Sequence, residues 1–312
     1  MPEVKSPHEF DSIIEVALYF SDEKICLEYV EAAIWNNDVR CPDCKSNSVY
    51  RFKDGKKLKC SKCGRHFTLL IGTIFEASKI KLAKWIMAIY LMGANKKGIN
   101  ACALGRQIKV NRKTAWFMLH RIRKALEDTD TKLSGIVQSD EAFCGGRNKN
   151  RHVDKKHGFV RGRDFPKKIP VLGMLEQGGR VKAIALQSIA TKYIHREVLE
   201  NLEAGSILVS DEYSAYKTLL DRYYELHKVN HDRLRFVSDE GFTTNGIENF
   251  WSHLKNMIRG VYIKVTRKHI QKYLDELCFR WNTMKMSCGE RLFAIFKRLN
   301  CRLTYKQLIQ KT

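Results

Sequence analysis

Three acidic residues are spaced as phosphoryl-transfer chemistry requires. Asp140 follows the apolar-rich run SGIVQS, Asp211 follows the run SILVS, and Glu248 lies in the first turn of a predicted helix, NGIENFWSHLKNMIRG. We predict that Asp140 and Asp211 each end a strand and face Glu248. Carboxylates in such an arrangement hold two divalent ions, Mg²⁺ or Mn²⁺, beside a reacting phosphate. One Asp at a strand end is more often a turn residue, so the prediction depends on all three.

The helix that carries Glu248 contains further candidate residues. Lys255 lies seven residues after Glu248 on nearly the same helical face, so we expect its ammonium to bind a phosphate beside the metal site. Trp251 lies one turn after Glu248 and is either a wedge against nucleic acid or, as is more common, a core residue. Asn245 is predicted to cap the helix, and it could also reach the site.

Four of the ten cysteines have the spacing of a metal site. They form two CxxC pairs separated by fifteen residues, namely Cys41, Cys44, Cys60 and Cys63. This spacing predicts a zinc ribbon, in which two cysteine turns close a tetrahedral site of four thiolates around structural Zn²⁺. The intervening SVYRFKDGKKLKC predicts a hairpin that turns at Asp54 and Gly55. The other six cysteines are scattered, and we expect small buried side chains.

Charge is the most informative feature of the composition. The 312 residues include 56 Lys and Arg against 34 Asp and Glu, which leaves a formal net charge of +22. This imbalance predicts a polyanionic partner, either nucleic acid or an anionic membrane surface. No apolar run approaches the roughly 18 residues of a membrane span, and the polar amino terminus does not resemble a signal peptide. We therefore expect an intracellular protein without a membrane segment.

The segment INACALGRQIKVNRKTAWFMLHRIRKALED has the outline of a helix-turn-helix. A short helix is predicted to end near Gln107, and a second one to run from Arg112 to Leu126 with Asn111 as its cap. A basic second helix of this kind can lie in the major groove of DNA, although an ordinary charged helix packed on a neighbour fits the pattern equally well. The residues predicted to contact DNA are Arg112, Lys113, Arg121, Arg123 and Lys124.

From Leu133 onward the pattern changes to short apolar strands and intervening helices. One strand, a hairpin turning at 177–179, a helix, a strand, a helix, a short strand and a final helix follow in turn. This order predicts an α/β fold of the RNase H-like type. In the helix TRKHIQKYLDELCFRWN, Asp275 and Glu276 are predicted to pair with Lys272 and Arg280, which makes them structural residues.

Taken together, these segments resemble the DDE transposases of insertion sequences related to the eukaryotic Merlin transposons. The resemblance is carried by SDEAFCGG, VSDEYSAY, TTNGIENFWSHLKNMIRG, CPDC with CSKCGRHFT, and KTAWFMLHRIRKA, and it extends from about residue 25 to RLTYKQL near the end. It implies an ISXO2-like catalytic domain behind a transposase zinc ribbon. It also implies that Asp140, Asp211 and Glu248 form the catalytic triad, followed by Lys255, in an oligomer assembled on paired DNA ends.

These observations predict four segments. Residues 1–75 hold two short helices and the zinc ribbon, 76–130 the helix-turn-helix region, 131–285 the RNase H-like catalytic domain, and 286–312 a carboxy-terminal tail. The predicted function is a transposase that binds the terminal inverted repeats of double-stranded DNA and performs metal-dependent cleavage and strand transfer. Two alternatives are a non-transposing DNA-binding protein derived from such an enzyme and an RNase H-like nuclease or resolvase. Inverted repeats flanking the gene would favour the transposase.

Overall fold

The computed structural model gives the chain as two compact units. The first comprises Met1–Glu127 with Thr283–Thr312, and the second comprises Asp128–Asn282. The described residues are 10, 12–128, 131–145, 152, 154, 168–210, 223–229 and 242–310.

The helices and strands follow in an order close to the predicted one. In chain order they are α1 (Ile13–Tyr19), α2 (Glu23–Trp35), β1 (Val49–Arg51), β2 (Lys57–Cys60), β3 (His66–Thr68), α3 (Leu82–Ala94), α4 (Ala101–Gln107), α5 (Arg112–Ala125), β4 (Ile136–Cys144), β5 (Ile169–Glu176), β6 (Val181–Ala185), α6 (Thr191–Asn201), β7 (Ile207–Ser210), β8 (Glu225–Lys228), α7 (Asn245–Met257), a π-helical turn (Ile258–Tyr262), α8 (Ile270–Asn282), α9 (Cys288–Phe296) and α10 (Tyr305–Ile309). None of the described helices combines the length and the apolar character needed to cross a membrane.

The carboxy-terminal segment differs from the tail expected for residues 286–312, because it packs into the first unit. The buried side chains of α9 include Leu292, Ile295 and Phe296, which recur at helical spacing. The ring of Phe296 lies 5.2 Å from that of Tyr29 in α2. The backbone N–H of Ile74 also donates to the carbonyl of Leu299 at 3.0 Å. Residues from both ends of the chain therefore form one hydrophobic core.

Helices α4 and α5 form the predicted helix-turn-helix. The Asn111 side chain accepts a hydrogen bond from the Thr114 backbone N–H at 2.8 Å, which caps α5 as expected. In the turn, Lys109 adopts a left-handed conformation with φ of +50°. Gly105 lies so close to the turn that an added Cβ would stand 2.8 Å from the Val110 carbonyl. The two helices meet closely because this position lacks a side chain.

The second unit is built on a five-stranded sheet with the order β6-β5-β4-β7-β8. Strand β4 is central: β5 runs antiparallel to it and β6 antiparallel to β5, whereas β7 runs parallel to β4 and β8 parallel to β7. This is the topology of the RNase H-like fold, and it confirms the predicted fold class. The β5–β6 hairpin turns at the predicted residues, with Gly178 at a φ of +71°.

Helices cover both faces of this sheet. Helix α6 packs on one face through Ile194 and Val198, against a cluster that includes Val137 of β4. Helices α7 and α8 pack on the other face, through residues such as Phe250 and Leu274. Because side chains alternate along a strand, the residues of β4 at even positions face α7, and the odd ones face α6.

Helix α8 contains a buried ion pair that agrees with its predicted structural role. The Arg280 Nη1 atom lies 2.5 Å from Glu276 Oε1, and the two side chains are only 8% and 1% exposed. The hydroxyl of Tyr262 donates to the same carboxylate oxygen at 2.6 Å. The carboxylate therefore joins α8 to the π-helical turn after α7.

Replacing Glu276 with Ala is expected to lower the free energy of unfolding by about 3–5 kcal/mol, because Arg280 would remain buried without its carboxylate partner. Asp275→Ala is the matched control. That side chain is less buried and accepts a hydrogen bond from Gln271 Nε2 at 2.8 Å, and the loss of such a bond is expected to cost about 1 kcal/mol. Urea denaturation measures both, and equal losses in the two variants would contradict the structural role of Glu276.

Candidate active site and metal centre

An open cleft of about 740 Å³ lies between β4 and α7. It brings together three of the predicted functional residues, Asp140, Glu248 and Lys255. The residues that line it are Asp140, Glu141, Ala142 and Phe143 from β4, and Asn245, Glu248, Asn249, Trp251, Ser252 and Lys255 from α7. Three acidic residues and one lysine thus line a common space.

Asp140 lies within a strand and not at its end, which corrects the expectation. Strand β4 continues to Cys144 because β5 pairs with it along this whole stretch, with Asp140 opposite Gly173. On the other side, the described pairing with β7 extends as far as Ser139, which lies opposite Ser210. Asp140 is the next residue of β4. Asp211, the next residue after Ser210 in the chain, lies outside the described residues.

Both oxygen atoms of the Asp140 carboxylate accept hydrogen bonds. Its Oδ2 atom accepts from the indole Nε1 of Trp251 at 2.9 Å, and its Oδ1 atom accepts from the Glu141 backbone N–H at 2.7 Å. Trp251 is only 3% exposed, so it is a core residue that fixes the orientation of Asp140 and is not a wedge against DNA. Sequence reasoning missed this contact, because nothing local links residues 111 positions apart.

Two glycines allow α7 to approach the sheet this closely. A Cβ at Gly173, the strand partner of Asp140, would lie 2.5 Å from Cζ2 of Trp251. A Cβ at Gly246 would lie 2.7 Å from Oε1 of Gln138. Contacts below 3.0 Å are not tolerated by real Cβ atoms, so the indole occupies space that only glycine leaves free. Gly173 is therefore part of the structure that supports the carboxylate.

The amino terminus of α7 is capped from the sheet. Oε1 of Gln138 in β4 accepts a hydrogen bond from the Ile247 backbone N–H at 3.0 Å, and this side chain is only 5% exposed. The expected cap, Asn245, is instead the first helical residue. It is exposed and lines the cleft, in keeping with the alternative that it reaches the site.

Glu248 and Lys255 are both exposed on the cleft side of α7. Glu248 lies in the first turn, where the positive end of the helix dipole stabilises a carboxylate. Lys255 lies in the last turn, and the helix continues beyond it as the π-helical turn, so it does not stop at Gly260 as predicted. Carboxylate oxygens are the ligands that Mg²⁺ and Mn²⁺ prefer, so the chemistry of Asp140 and Glu248 fits such ions.

The four predicted zinc ligands form a compact cluster. All four sulfur atoms lie within 4.8 Å of one another. The Sγ atoms of Cys41 and Cys63 are 3.6 Å apart, and those of Cys44 and Cys60 are 3.5 Å apart. Zn–S bonds of about 2.3 Å in a tetrahedron place sulfur atoms roughly 3.8 Å apart, so the cluster fits Zn²⁺. Its strands β1, β2 and β3 form an antiparallel sheet with the predicted turn at Asp54 and Gly55.

The two cysteine turns share one backbone geometry. Lys45 donates its N–H to the Cys41 carbonyl and Gly64 donates to that of Cys60, both at 3.0 Å. Lys45 and Gly64 adopt left-handed conformations, with φ of +60° and +73°. The Cys63 backbone N–H donates to the Cys60 sulfur and lowers the pKa of this thiol to about 7. The Arg65 backbone N–H lowers the pKa of Cys63, but burial and the three other sulfur atoms outweigh it and raise this pKa to about 12, so the sulfur atoms share their protons unevenly.

Three of the remaining six cysteines have the buried character expected of them. Burial raises the pKa of Cys26 to about 12 and that of Cys144 to about 11, and it also raises the pKa of Cys278. Cys102 is exposed, whereas Cys288 and Cys301 are partly buried. The three buried thiols therefore remain protonated and act as small apolar side chains.

The basic residues of α5 divide into two groups. Arg112 and Lys113 are exposed, and Lys124 is half-buried in an ion pair with Glu127. Arg121 and Arg123, however, are only 5% and 1% exposed, so the structure does not support their predicted contacts with DNA.

Arg121 shows the physical reason for this correction. Its guanidinium donates from Nε to the Leu303 carbonyl at 3.0 Å and from Nη2 to the Glu76 carbonyl at 2.7 Å, and it lies 4.9 Å from the ring centroid of Phe117. Burial also lowers its pKa. The carboxy-terminal segment covers this side of α5, so Arg121 is a packing residue of the first unit.

Comparisons with known proteins agree with these features. Residues 132–282 match the family model of the ISXO2-like transposase domain, and residues 21–66 match that of the transposase zinc-ribbon domain. An uncharacterized protein in transposable element ISH50 of Halobacterium salinarum is 28% identical over 210 residues, which cover 64% of this chain and 71% of that protein.

Similar solved structures are complexes of Mos1. The Mos1 strand transfer complex is 13% identical with a TM-score of 0.30, over 69% of this chain and 74% of that chain. The mariner Mos1 paired end complex with Mg is 12% identical with a TM-score of 0.29, over 69% and 75% of the two chains. Because these identities and TM-scores are low, the fold assignment is based on the strand order of the second unit.

The purified chain is expected to contain one tightly bound zinc ion, and Cys60→Ser is expected to lose it, because three thiolates cannot close the tetrahedral site. Cys102→Ser is the control, since Cys102 is exposed and lies outside the cluster. Atomic emission spectroscopy after dialysis measures the metal content. A Cys60→Ser protein with the same zinc content as the control would exclude Cys60 as a ligand.

Gly173→Ala is expected to lower the free energy of unfolding by about 1–3 kcal/mol, because the new methyl group overpacks the indole of Trp251. Gly260→Ala is the control in the same unit, since nothing lies within 4 Å of a Cβ built there. Urea denaturation and near-ultraviolet circular dichroism report stability and the indole environment. A Gly173→Ala protein that matches the control in both would show that the close contact is not present in solution.

Proposed function

We propose that this chain, whose residues 21–66 and 132–282 match the transposase zinc-ribbon domain and the ISXO2-like transposase domain, binds the inverted repeats at the ends of a DNA element and catalyses DNA cleavage and strand transfer. The single observation that carries the proposal is the cleft that Asp140, Glu248 and Lys255 line together. Phosphoryl transfer depends on positioning and on stabilising charge, and these residues supply both.

The register of the sheet supports the assignment of Asp211 as the third acidic ligand. Ser139 pairs with Ser210 in parallel strands, and the next residues of the two strands are Asp140 and Asp211. Paired positions on neighbouring strands lie about 4.8 Å apart and project to the same face. Continuation of this pairing by one residue would bring the two carboxylates side by side on the face covered by α7.

Asp140, Asp211 and Glu248 would hold two Mg²⁺ or Mn²⁺ ions. Such ions supply positive charge that activates the attacking oxygen and stabilises the leaving oxygen of a phosphodiester. Trp251 and the Glu141 backbone N–H hold Asp140 in one orientation through their hydrogen bonds. Lys255, two turns from Glu248 on the cleft side of α7, would bind a phosphate of the substrate strand and align it with the carboxylates.

The first unit would supply most of the DNA affinity. The net charge of +22 favours a polyanion, and the exposed Arg112 and Lys113 lie in the first turn of α5. From this position they would reach the backbone or base edges of the inverted repeats, with Lys124 as a weaker contact because of its ion pair. Two copies of the chain would act together on paired ends within the cell.

The acidic residues of the cleft favour an enzyme over a non-catalytic DNA-binding protein. Asp140 is held by a buried indole and a backbone N–H at the wall of an open cleft, an arrangement that DNA binding alone does not require. A plain nuclease or resolvase would use the same residues but has no need to recognise defined ends. Short inverted repeats and a target duplication flanking the gene would therefore favour transposition over this alternative.

Asp140→Asn is expected to reduce cleavage and strand transfer at least about a hundredfold, because the loss of residues that merely orient metal ligands already costs about 10- to 100-fold. Binding to the repeat ends is expected to stay within about twofold, since the phosphate contacts remain. The measurements are a cleavage assay with Mg²⁺ on labelled end DNA and an electrophoretic mobility shift.

Glu200→Gln is the matched control, because this carboxylate is exposed on α6, the helix on the opposite face of the sheet. It is expected to retain full activity. Cleavage by the Asp140→Asn protein at the rate of the control would refute the catalytic assignment.

A further inference from the structure

The three-stranded sheet of the zinc ribbon has one buried face and one exposed face. Leu58 and Phe67 are neighbours in β2 and β3, and both are buried, at 0% and 5% exposure. On the other face Tyr50, Lys59 and His66 are neighbours across β1, β2 and β3, and all three are exposed. A small sheet with one covered face normally presents polar side chains to water on the other, so the aromatic residues here require an explanation.

The exposed aromatic residues form a cluster. The Tyr50 ring lies 5.3 Å from that of Phe52 in an edge-to-face contact, and the Phe52 ring lies 5.8 Å from that of His66. Tyr50 is 59% exposed. A shallow concavity of about 650 Å³ is lined by Tyr50, Phe52, Lys59, Cys60, Ser61, Gly64 and His66. Clustered exposed aromatic side chains beside a hollow are typical of a binding surface.

The charge of this face is positive. No acidic residue lines the concavity, and within the described residues Lys59 has no carboxylate at ion-pair distance. Two nearby acidic residues of the first unit, Asp43 and Glu31, are engaged by Arg65 at 3.1 Å and by Arg51 at 2.5 Å. The exposed lysine therefore remains available for an anionic partner, and its strand neighbours on both sides carry rings.

Alternation of rings and cations selects one form of nucleic acid. Bases in a duplex are stacked on each other and offer only their edges and the phosphates, so a duplex would leave the rings of Tyr50 and Phe52 unused. Proteins that bind unpaired strands combine a positive groove for the backbone with aromatic side chains on which bases stack. The ribbon face has both features within a single row of neighbouring side chains.

We propose that this face of the ribbon, formed by Tyr50, Phe52, Lys59 and His66, binds an unpaired DNA strand. A base would stack on the exposed ring of Tyr50, and Lys59 would bind a phosphate of the same strand. The inference rests on the proposed function, because it presupposes that DNA is the partner. The strand bound by the ribbon would be the unpaired DNA that forms when an element end opens.

The test uses the full-length, zinc-loaded chain with a fluorescein-labelled 15-nucleotide oligo-dT and a labelled 15-base-pair duplex, followed by anisotropy. Tyr50→Ala is expected to weaken binding to oligo-dT by about 5- to 150-fold, the loss that corresponds to one stacked base, and to leave duplex binding within about twofold. Tyr50→Trp is expected to restore binding to the unpaired strand. Tyr305→Ala removes another exposed tyrosine of the same unit and is expected to change neither.

Lys59→Gln gives a second, independent measure. It is expected to reduce the slope of log Kd against log salt concentration for oligo-dT by about 0.7, because a complex with one phosphate contact fewer releases fewer counterions when it forms. Zinc content is measured for every variant. Tyr50→Leu replaces Tyr50→Ala if the latter loses zinc, since leucine retains apolar bulk but cannot stack on a base.

Each outcome decides the inference. Selective loss of oligo-dT binding in Tyr50→Ala, with rescue by Tyr50→Trp, supports it. If the unaltered chain binds the duplex but shows no measurable binding to oligo-dT, the inference is overturned and the proposed function stays intact. The same conclusion follows if Tyr50→Ala leaves the binding of both DNAs unchanged or weakens both equally. Failure of the unaltered chain to bind either DNA overturns both the inference and the DNA binding of the proposed function.

Discussion

A hydrogen bond from a core residue orients the carboxylate of the candidate active site. The indole of Trp251 donates to the carboxylate of Asp140 from within the hydrophobic core. A buried donor of this kind needs an acceptor, because an unsatisfied polar group in the core is costly. The same bond that satisfies the core therefore also sets the orientation of the acidic residue at the cleft. Stability and the geometry of the site are therefore coupled through this contact.

The surrounding residues permit this contact and restrict it. Gly173 leaves the space that the indole fills, and Gly246 lets the start of α7 lie against Gln138. Gln138 caps the helix from the strand that carries Asp140. Because Asp140 and Gln138 both belong to β4, their contacts set the rotation of α7 about its own axis and its distance from that strand. Glu248 and Lys255 then face the cleft through helical spacing alone.

Local sequence signals predicted the fold well. The differences between the predictions and the structure arise from packing between residues far apart in the chain. Cysteine spacing gave the ribbon, and Asn111 gave the start of α5, because both depend on neighbouring residues. The burial of Arg121 depends on Leu303, 182 residues away, and a basic helical pattern carries no sign of such a cover. Asp140 lies inside its strand because β5 is long, a property of the partner strand. The predicted position of Asp211 falls outside the described residues and stays a prediction.

The composition of the first unit from both ends of the chain has a consequence for biosynthesis. Domains generally fold as they leave the ribosome, the amino-terminal one first. Here the helices and ribbon that emerge first lack Phe296, Leu299 and Leu303 of their core until residues 283–312 have been synthesised. The RNase H-like unit, encoded in between, has all of its own strands earlier. A nascent chain therefore completes the RNase H-like unit before the first unit, and a product that lacks residues 283–312 would contain a finished sheet attached to an incomplete first unit.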